Sequence, residues 1–441
     1  MAGGGTTRDR ETRGHEAAGR QAFGASRHSF RPEVQALRAL AVALVVVFHL
    51  WPGALPGGFV GVDVFFVISG FLITGQLLRE AGRLGRIRLG GFWARRVRRL
   101  LPAALASLAA TGIATWLVAP QTVWRQYFSD IAASAAYVQN WHLVAQAVDY
   151  FAPSGASPVQ NFWSLAVEEQ FYLVWPLLLV VALVATRRRP GARRRAFVAV
   201  LGAASVASLI YCVVVSRDAA QIAYLSTLAR GWEFGLGGLL ALVLPRLSRL
   251  GERAASRNGW AAALSGARAA LSWCGVAVIV VSAFLLNSGT AFPGAVALWP
   301  TLATCVVIAA GVPRGRWAPG RAMTLPAVQW LGGASYSLYL WHWPVIVLAP
   351  FAWERIAGRS APAWSSLLVL ALSLALAWAS KRWIEDRTRT AAFWSGPKPT
   401  RSFAVMAAGM MVVGGLALAC AGTVQTTIDV SLDRAANVVR V

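Results

Sequence analysis

Residues 38–63 read RALAVALVVVFHLWPGALPGGFVGVD, and this stretch decides the class of the molecule. It opens as an apolar helix of membrane-spanning character, with Arg38 at one end and His49 near the other. A short Pro/Gly turn follows, and Asp63 then enters the next apolar run. Ionisable groups are costly inside hydrocarbon, so each one marks a candidate functional position. Arg38 and His49 are eleven residues apart, about three helical turns, and share one face roughly 16 Å apart.

Outward from that stretch, the pattern repeats. The chain has 441 residues, of which 57% are hydrophobic, too apolar for an ordinary soluble protein. Apolar segments near 34–50, 58–79, 100–119, 164–185, 195–216, 228–246, 270–287, 294–312, 328–350, 363–380 and 403–424 predict an all-α polytopic membrane protein. Residues 1–30 are rich in Gly, Arg and Thr and lack an apolar core. They read as a disordered cytoplasmic tail rather than a signal peptide.

The net charge of +24 would suit nucleic acid, but its distribution points elsewhere. Alternating connections on one side hold 34 of the 42 Lys and Arg, whereas the other side holds Arg125, Arg217, Arg355, Arg359, Arg434 and Arg440. The positive-inside rule then predicts a cytoplasmic N-terminus, an extracytoplasmic C-terminus and no nucleic-acid partner. Cys212, Cys274, Cys305 and Cys420 fall inside apolar segments without zinc spacing or a disulfide framework, and read as small buried hydrophobes.

Several polar groups interrupt the apolar runs. Asp63 lies at a depth similar to His49. Its alternative is a hydrated surface carboxylate. Arg95, Arg96, Arg98 and Arg99 stand directly before the third segment, where guanidinium forks suit phosphates and also lipid head groups. The connection from 120 to 160 reads as the longest external loop, with Trp124, Tyr127, Tyr137, Trp141 and Tyr150 lining a mouth or an interfacial belt, and His142 solvated. Glu168 and Glu169 sit two turns into a helix and point about 100° apart, so one neighbour is faced well by only one of them. Arg230 and Glu233 are three residues apart, the spacing of an intrahelical scaffold pair. Ser335, Tyr339 and His342 share a face of the ninth segment. Topology places His49, Asp63, Glu168, Glu169, Arg230 and Glu233 in the outer half and His342 near the middle. Arg38 and the arginine cluster fall at the inner side.

The ordered set Arg38…His49, GVDVFFVISGFLI (61–73), RRVRRLLP (95–102), NFWSLAVEEQFYLVWP (161–176) and YSLYLWHWP (336–344) resembles the transmembrane acyltransferase family three, which includes O-antigen and peptidoglycan O-acetyltransferases. The resemblance covers about residues 31–390 and implies a ten-helix acyltransferase core. It implies acyl transfer, usually acetyl from cytoplasmic acetyl-CoA, to a hydroxyl of an extracytoplasmic envelope glycan or lipid-linked sugar, with no permanently bound cofactor and no metal. On this reading Arg38, Arg95, Arg96, Arg98 and Arg99 hold the CoA phosphates, and His49, Asp63, Glu168, Glu169 and His342 form the catalytic set. His49 is oriented by Asp63 or by a Glu168/Glu169 carboxylate. Direct transfer and a covalent acyl-enzyme both stay open.

One motif departs: Ile384-Glu385-Asp386 is followed by Arg387 where the family often has proline. Residues 391–441 read as an eleventh helix with a short external tail, the arrangement of fused members whose external SGNH-type domain is absent or truncated here. The competing class is a proton-coupled secondary transporter of a small anion, against which the ordered motifs and the lack of visible inverted repeats both weigh.

Overall fold

The computed structural model describes residues 30–146, 150, 155–256, 260–390 and 399–439, so the tail expected at 1–30 lies, except for Phe30, outside the described residues. Each apolar segment of the sequence forms a helix. The main ones are α1 Pro32–Leu50, α2 Gly61–Leu84, α3 Leu89–Val118, α4 Gln121–Ala135, α5 Gln139–Ala145, α6 Phe162–Ala185, α7 Arg193–Asp218, α8 Ala220–Leu225 and α9 Thr227–Ala255. They are followed by α10 Trp260–Leu285, α11 Leu298–Ala310, α12 Gly320–Met323, α13 Pro326–Ala357, α14 Ser365–Ser380, α15 Asp386–Thr390 and α16 Thr400–Val439. The protein is an all-α polytopic membrane protein. Among the described residues, nine helices are long and apolar enough to cross a membrane, and α11 is a shorter apolar helix. The 32-residue α13 is not among the nine, because Ser335, Ser337, Tyr339, His342 and its prolines dilute its hydropathy.

Helix α1 starts with Pro32 at its first turn, where a missing N–H costs nothing. It buries Val34, Leu37, Ala41 and Val45 along one stripe and packs chiefly between α2 and α13. Close approach, not bulk apolarity, fixes these contacts, as expected where lipid competes for every apolar surface. A Cβ on Gly332 of α13 would meet the Gln35 carbonyl oxygen at 2.1 Å. Between α2 and α9 the contact is reciprocal: a Cβ on Gly70 would lie 1.9 Å from the Phe234 oxygen, and one on Gly237 would lie 2.0 Å from the Val67 oxygen.

Two expectations are corrected. The segment from 120 to 160 is not simply a loop: its described residues build α4, which packs on α16, and α5, which packs on α6. Tyr137 turns the chain between them at φ 55°, and its carbonyl accepts from Gln170 Nε2 at 3.0 Å. The same amide nitrogen donates to Asn140 Oδ1, while Gln170 Oε1 accepts from Trp141 and Thr227. Loop composition hid this fold-back because its anchor, Gln170, lies in another helix. His142 is correspondingly not a free loop histidine: its Nε2 stands 3.1 Å from the buried carboxylate of Asp130. Helix α16 runs on to Val439, since the stretch from 425 has neither Pro nor Gly to stop it.

With Arg387 at the position where the motif often has proline, the backbone likewise stays helical. It passes through a π-helical turn at Lys381–Glu385 into α15.

The α2–α9 contact makes a direct prediction. Gly237→Val costs about 1–3 kcal/mol through overpacking, and lowers the melting temperature read by tryptophan fluorescence in detergent. Gly82→Ala, which meets nothing within 4 Å, leaves the melting temperature unchanged or higher.

Candidate active site

Four groups of polar side chains line up through the helix bundle. The first is a histidine pair. His342, fully buried on α13, directs Nδ1 at the backbone oxygens of Tyr339 (2.8 Å) and Leu338 (3.1 Å). Carbonyl oxygens only accept, so Nδ1 carries the proton, and in the neutral ring Nε2 is a bare acceptor. His49 Nδ1 lies 3.0 Å from that Nε2, with the ring planes 16° apart, and donates to it. The remaining His49 nitrogen, Nε2, therefore presents a lone pair. It faces the Tyr150 hydroxyl at 3.2 Å, which donates. Burial pushes the Tyr150 phenol up to about 12, so it keeps its proton at neutral pH. Trp343 covers the other side of His49 at 4.4 Å between ring centroids, and its indole N–H holds the Ser157 carbonyl.

The second group takes Asp63 away from this pair. Asp63 Oδ1 lies 3.0 Å from Arg230 Nη2, and Arg230 Nε lies 3.0 Å from Glu233 Oε1. All three side chains are fully buried. The guanidinium is ringed by Phe66, Trp163, Tyr224 and Phe292, with centroids 5.4–6.0 Å away. The Arg230–Glu233 pair follows the expected i,i+3 spacing. The expected orientation of His49 by Asp63 or a glutamate does not occur: His342 and Tyr150 occupy both of its ring nitrogens. The reason is geometric, since α9 delivers a cation, Arg230, to Asp63.

The third group lines a narrow cavity of about 80 Å³ between α1, α2, α3, α6 and α13. Arg38, Arg96 and Arg99 form one end, and Ser164 and Tyr339 lie on its wall with Ser69, Glu168 and Tyr172. Glu168 Oε1 accepts from both the Ser69 hydroxyl and the Tyr172 hydroxyl, a double O–H contact suited to a carboxylate. Arg96 stacks over the Tyr172 ring at 5.2 Å and donates to Gln76. Glu169, a third of a turn round α6, does not line this cavity, in keeping with the 100° separation. His49 does not line it either. Tyr339 stands at the wall, its ring 5.4 Å from His342 and its hydroxyl 2.6 Å from Ser164 Oγ. His49 lies instead on a largely apolar cavity of about 660 Å³ between α3, α13 and α14.

The fourth group is a basic basin of about 780 Å³ formed by α2 and α3, with Arg79, Arg83, Arg88, Arg95, Arg98 and Glu80. Arg96 and Arg99 line both the basin and the narrow cavity. That divides the arginine cluster: Arg95 is tied to Glu80 at 3.2 Å and Arg98 donates to the Ala94 carbonyl, both on the basin side. Ser69, Tyr172 and Tyr150 were not assigned site roles from sequence. Tyr172 carried a legible signal, four residues after Glu168 and so on its face.

A family model described as an acyltransferase domain matches residues 31–382. YrhL of Bacillus subtilis (strain 168), provisionally named a peptidoglycan O-acetyltransferase, is 33% identical over 370 residues, covering 83% of this chain and 56% of its own. The peptidoglycan O-acetyltransferase OatA of Listeria monocytogenes serovar 1/2a is 31% identical over 365 residues, 82% of this chain and 56% of its own. The chain thus spans just over half the length of these curated relatives. No solved structure matches it.

The buried ion pair is open to test by substitution. Arg230→Ala leaves Asp63 and Glu233 unpaired and costs about 3–5 kcal/mol, visible as a large fall in melting temperature and in yield of folded protein. Arg98→Ala, on the basin rim, leaves the melting temperature in place.

Proposed function

Because the chain belongs to this acyltransferase family, we propose that it is a membrane O-acetyltransferase. It takes acetyl from acetyl-CoA at the cytoplasmic face and passes it to a hydroxyl of an extracytoplasmic envelope glycan. The observation that carries this reading is the continuity of the basic basin with the narrow cavity through Arg96 and Arg99, and the position of the histidine pair behind its Tyr339 wall.

The chemistry follows from the residues. Clustered guanidinium groups recognise phosphates in bidentate fashion, so the basin receives the CoA phosphates while the acyl end enters the narrow cavity. Arg38 on the cavity wall, held by Gln35 Oε1 at 3.2 Å, adds positive charge beside the thioester. At the other end, the bare Nε2 of His49 acts as general base on the acceptor hydroxyl, which takes the place of the Tyr150 hydroxyl. The proton so gained is shared along the His49–His342 hydrogen bond. Asp63 and Arg230 act by holding α2 against α9, and touch neither substrate. The excess of Lys and Arg on one set of connections supports the basin facing the cytoplasm. CoA is a substrate here, and no resident cofactor is invoked.

The experiment is an assay of O-acetyl esters formed on envelope glycan by the purified protein. His49→Ala lowers turnover about 100-fold or more, the usual worth of a general base. Arg96→Ala with Arg99→Ala raises KM for acetyl-CoA far more than it lowers kcat. Undiminished ester formation by His49→Ala contradicts the assignment of the base.

A further inference from the structure

The donor cavity and the histidine base are separate spaces. The cavity holding Glu168 is about 80 Å³, a volume that suits a two-carbon acyl group and not a sugar ring, and His49 is not on its wall. Tyr339 stands at the partition, with its ring against His342 and its hydroxyl held by Ser164. While Tyr339 holds that partition, a donor thioester and a glycan hydroxyl do not meet, so the acyl group requires a carrier on the cavity wall until the partition moves.

One hydroxyl on the wall is arranged as a nucleophile. Ser69 Oγ donates to Glu168 Oε1, the contact that joins a nucleophile to its base. Tyr172 is the orienting third group: its hydroxyl donates to the same carboxylate oxygen and lies 3.3 Å from Ser69 Oγ. Arg96 in turn stacks on the Tyr172 ring. The backbone under Ser69 is fixed by the next residue, Gly70, which packs directly on the Phe234 carbonyl of α9. That contact turns the preceding side chain away from α9 and into the cavity. Arg38, Arg96 and Arg99 line the same space.

We propose that Ser69 is an acyl-carrying nucleophile, with Glu168 as its base and Tyr172 as the hydroxyl that steadies the developing charge. This relay rests on the acetyltransferase reading above. In the first half, Ser69 Oγ attacks the thioester carbonyl carbon while Glu168 takes the serine proton. The tetrahedral adduct collapses, the C–S bond breaks, and CoA leaves as the thiolate, protonated by solvent in the basin. In the second half, Tyr339 leaves the partition, and the acceptor hydroxyl attacks the carbonyl of the serine ester from the histidine side and gives its proton to His49. The Ser69 C–O bond breaks, and Glu168 returns the proton it held to Ser69 Oγ. His49 then releases its proton to solvent, matching the one taken up by the thiolate, so that one thioester becomes one oxygen ester with the serine, glutamate and histidine restored.

The test uses the purified full chain with isotopically labelled acetyl-CoA, acid quench, proteolysis and mass spectrometry, with free CoA measured in parallel. In the His49→Ala background, onward transfer stops and one acetyl group accumulates on the peptide that contains Ser69, removable by hydroxylamine. Ser69→Ala abolishes that label and slows CoA release about 100-fold or more. Ser69→Cys restores labelling as a thioester, which a merely structural hydroxyl would not do. CoA release by Ser69→Ala at the rate of the unsubstituted protein, or label at another residue, overturns the relay alone. Absence of any CoA release from the unsubstituted protein overturns the acetyltransferase reading, and the relay with it.

Discussion

Arg230 decides where Asp63 goes, and thereby what His49 has to pair with. A guanidinium with no exposure to solvent needs its charge answered in place, and Asp63 and Glu233 answer it from α2 and α9. That contact, with the glycine-on-carbonyl packing midway along the same two helices, sets the rotation of α2. Rotation of α2 in turn fixes which side chains face the bundle interior. Ser69 enters the cavity, Asp63 turns to α9, and His49 on α1 is left to meet His342 and Tyr150.

The histidine pair gains its direction from the backbone. Two carbonyls of α13 hold the proton on one nitrogen of His342, and the remaining hydrogen-bond directions follow in sequence to the bare Nε2 of His49. Among the described residues no carboxylate is bonded to either histidine of the pair. On the proposed mechanism that arrangement suits the pair to act as a base rather than as a standing ion pair. At the opposite end, charge is plentiful: arginines of α3 face both a broad basin and a narrow cavity, a graded entry suited to a bulky anionic donor with a small reactive tip.

Much of this was legible in the sequence. The helix positions follow from the length of the apolar runs, and the candidate residues from the cost of ionisable groups among them. The i,i+3 spacing of Arg230 and Glu233 announced their pairing, and the adjacency of Glu168 and Glu169 meant that at most one of them could face a given neighbour well. What stayed hidden were contacts across long sequence separations. Asp63 reaches Arg230 across 167 residues, His49 reaches His342 across 293, and Gln170 pulls the turn at Tyr137 back against the bundle. Periodicity speaks only for neighbours on one helix, so it had no means to choose between His342 and Asp63 as the partner of His49. Ser69 carried no site signal in the sequence, because its proposed role depends on a carboxylate from α6.

The central claim is that the donor enters from the arginine end and stops at the Ser69–Glu168 wall, short of the histidine pair. A structure of the protein bound to a non-hydrolysable acetyl-CoA analogue measures this most directly. The account predicts phosphates against Arg96 and Arg99 and the acyl carbon beside Ser69 Oγ, with Tyr339 still between it and His342. An acyl carbon seated against His49 Nε2, or phosphates bound away from the basin, would contradict it.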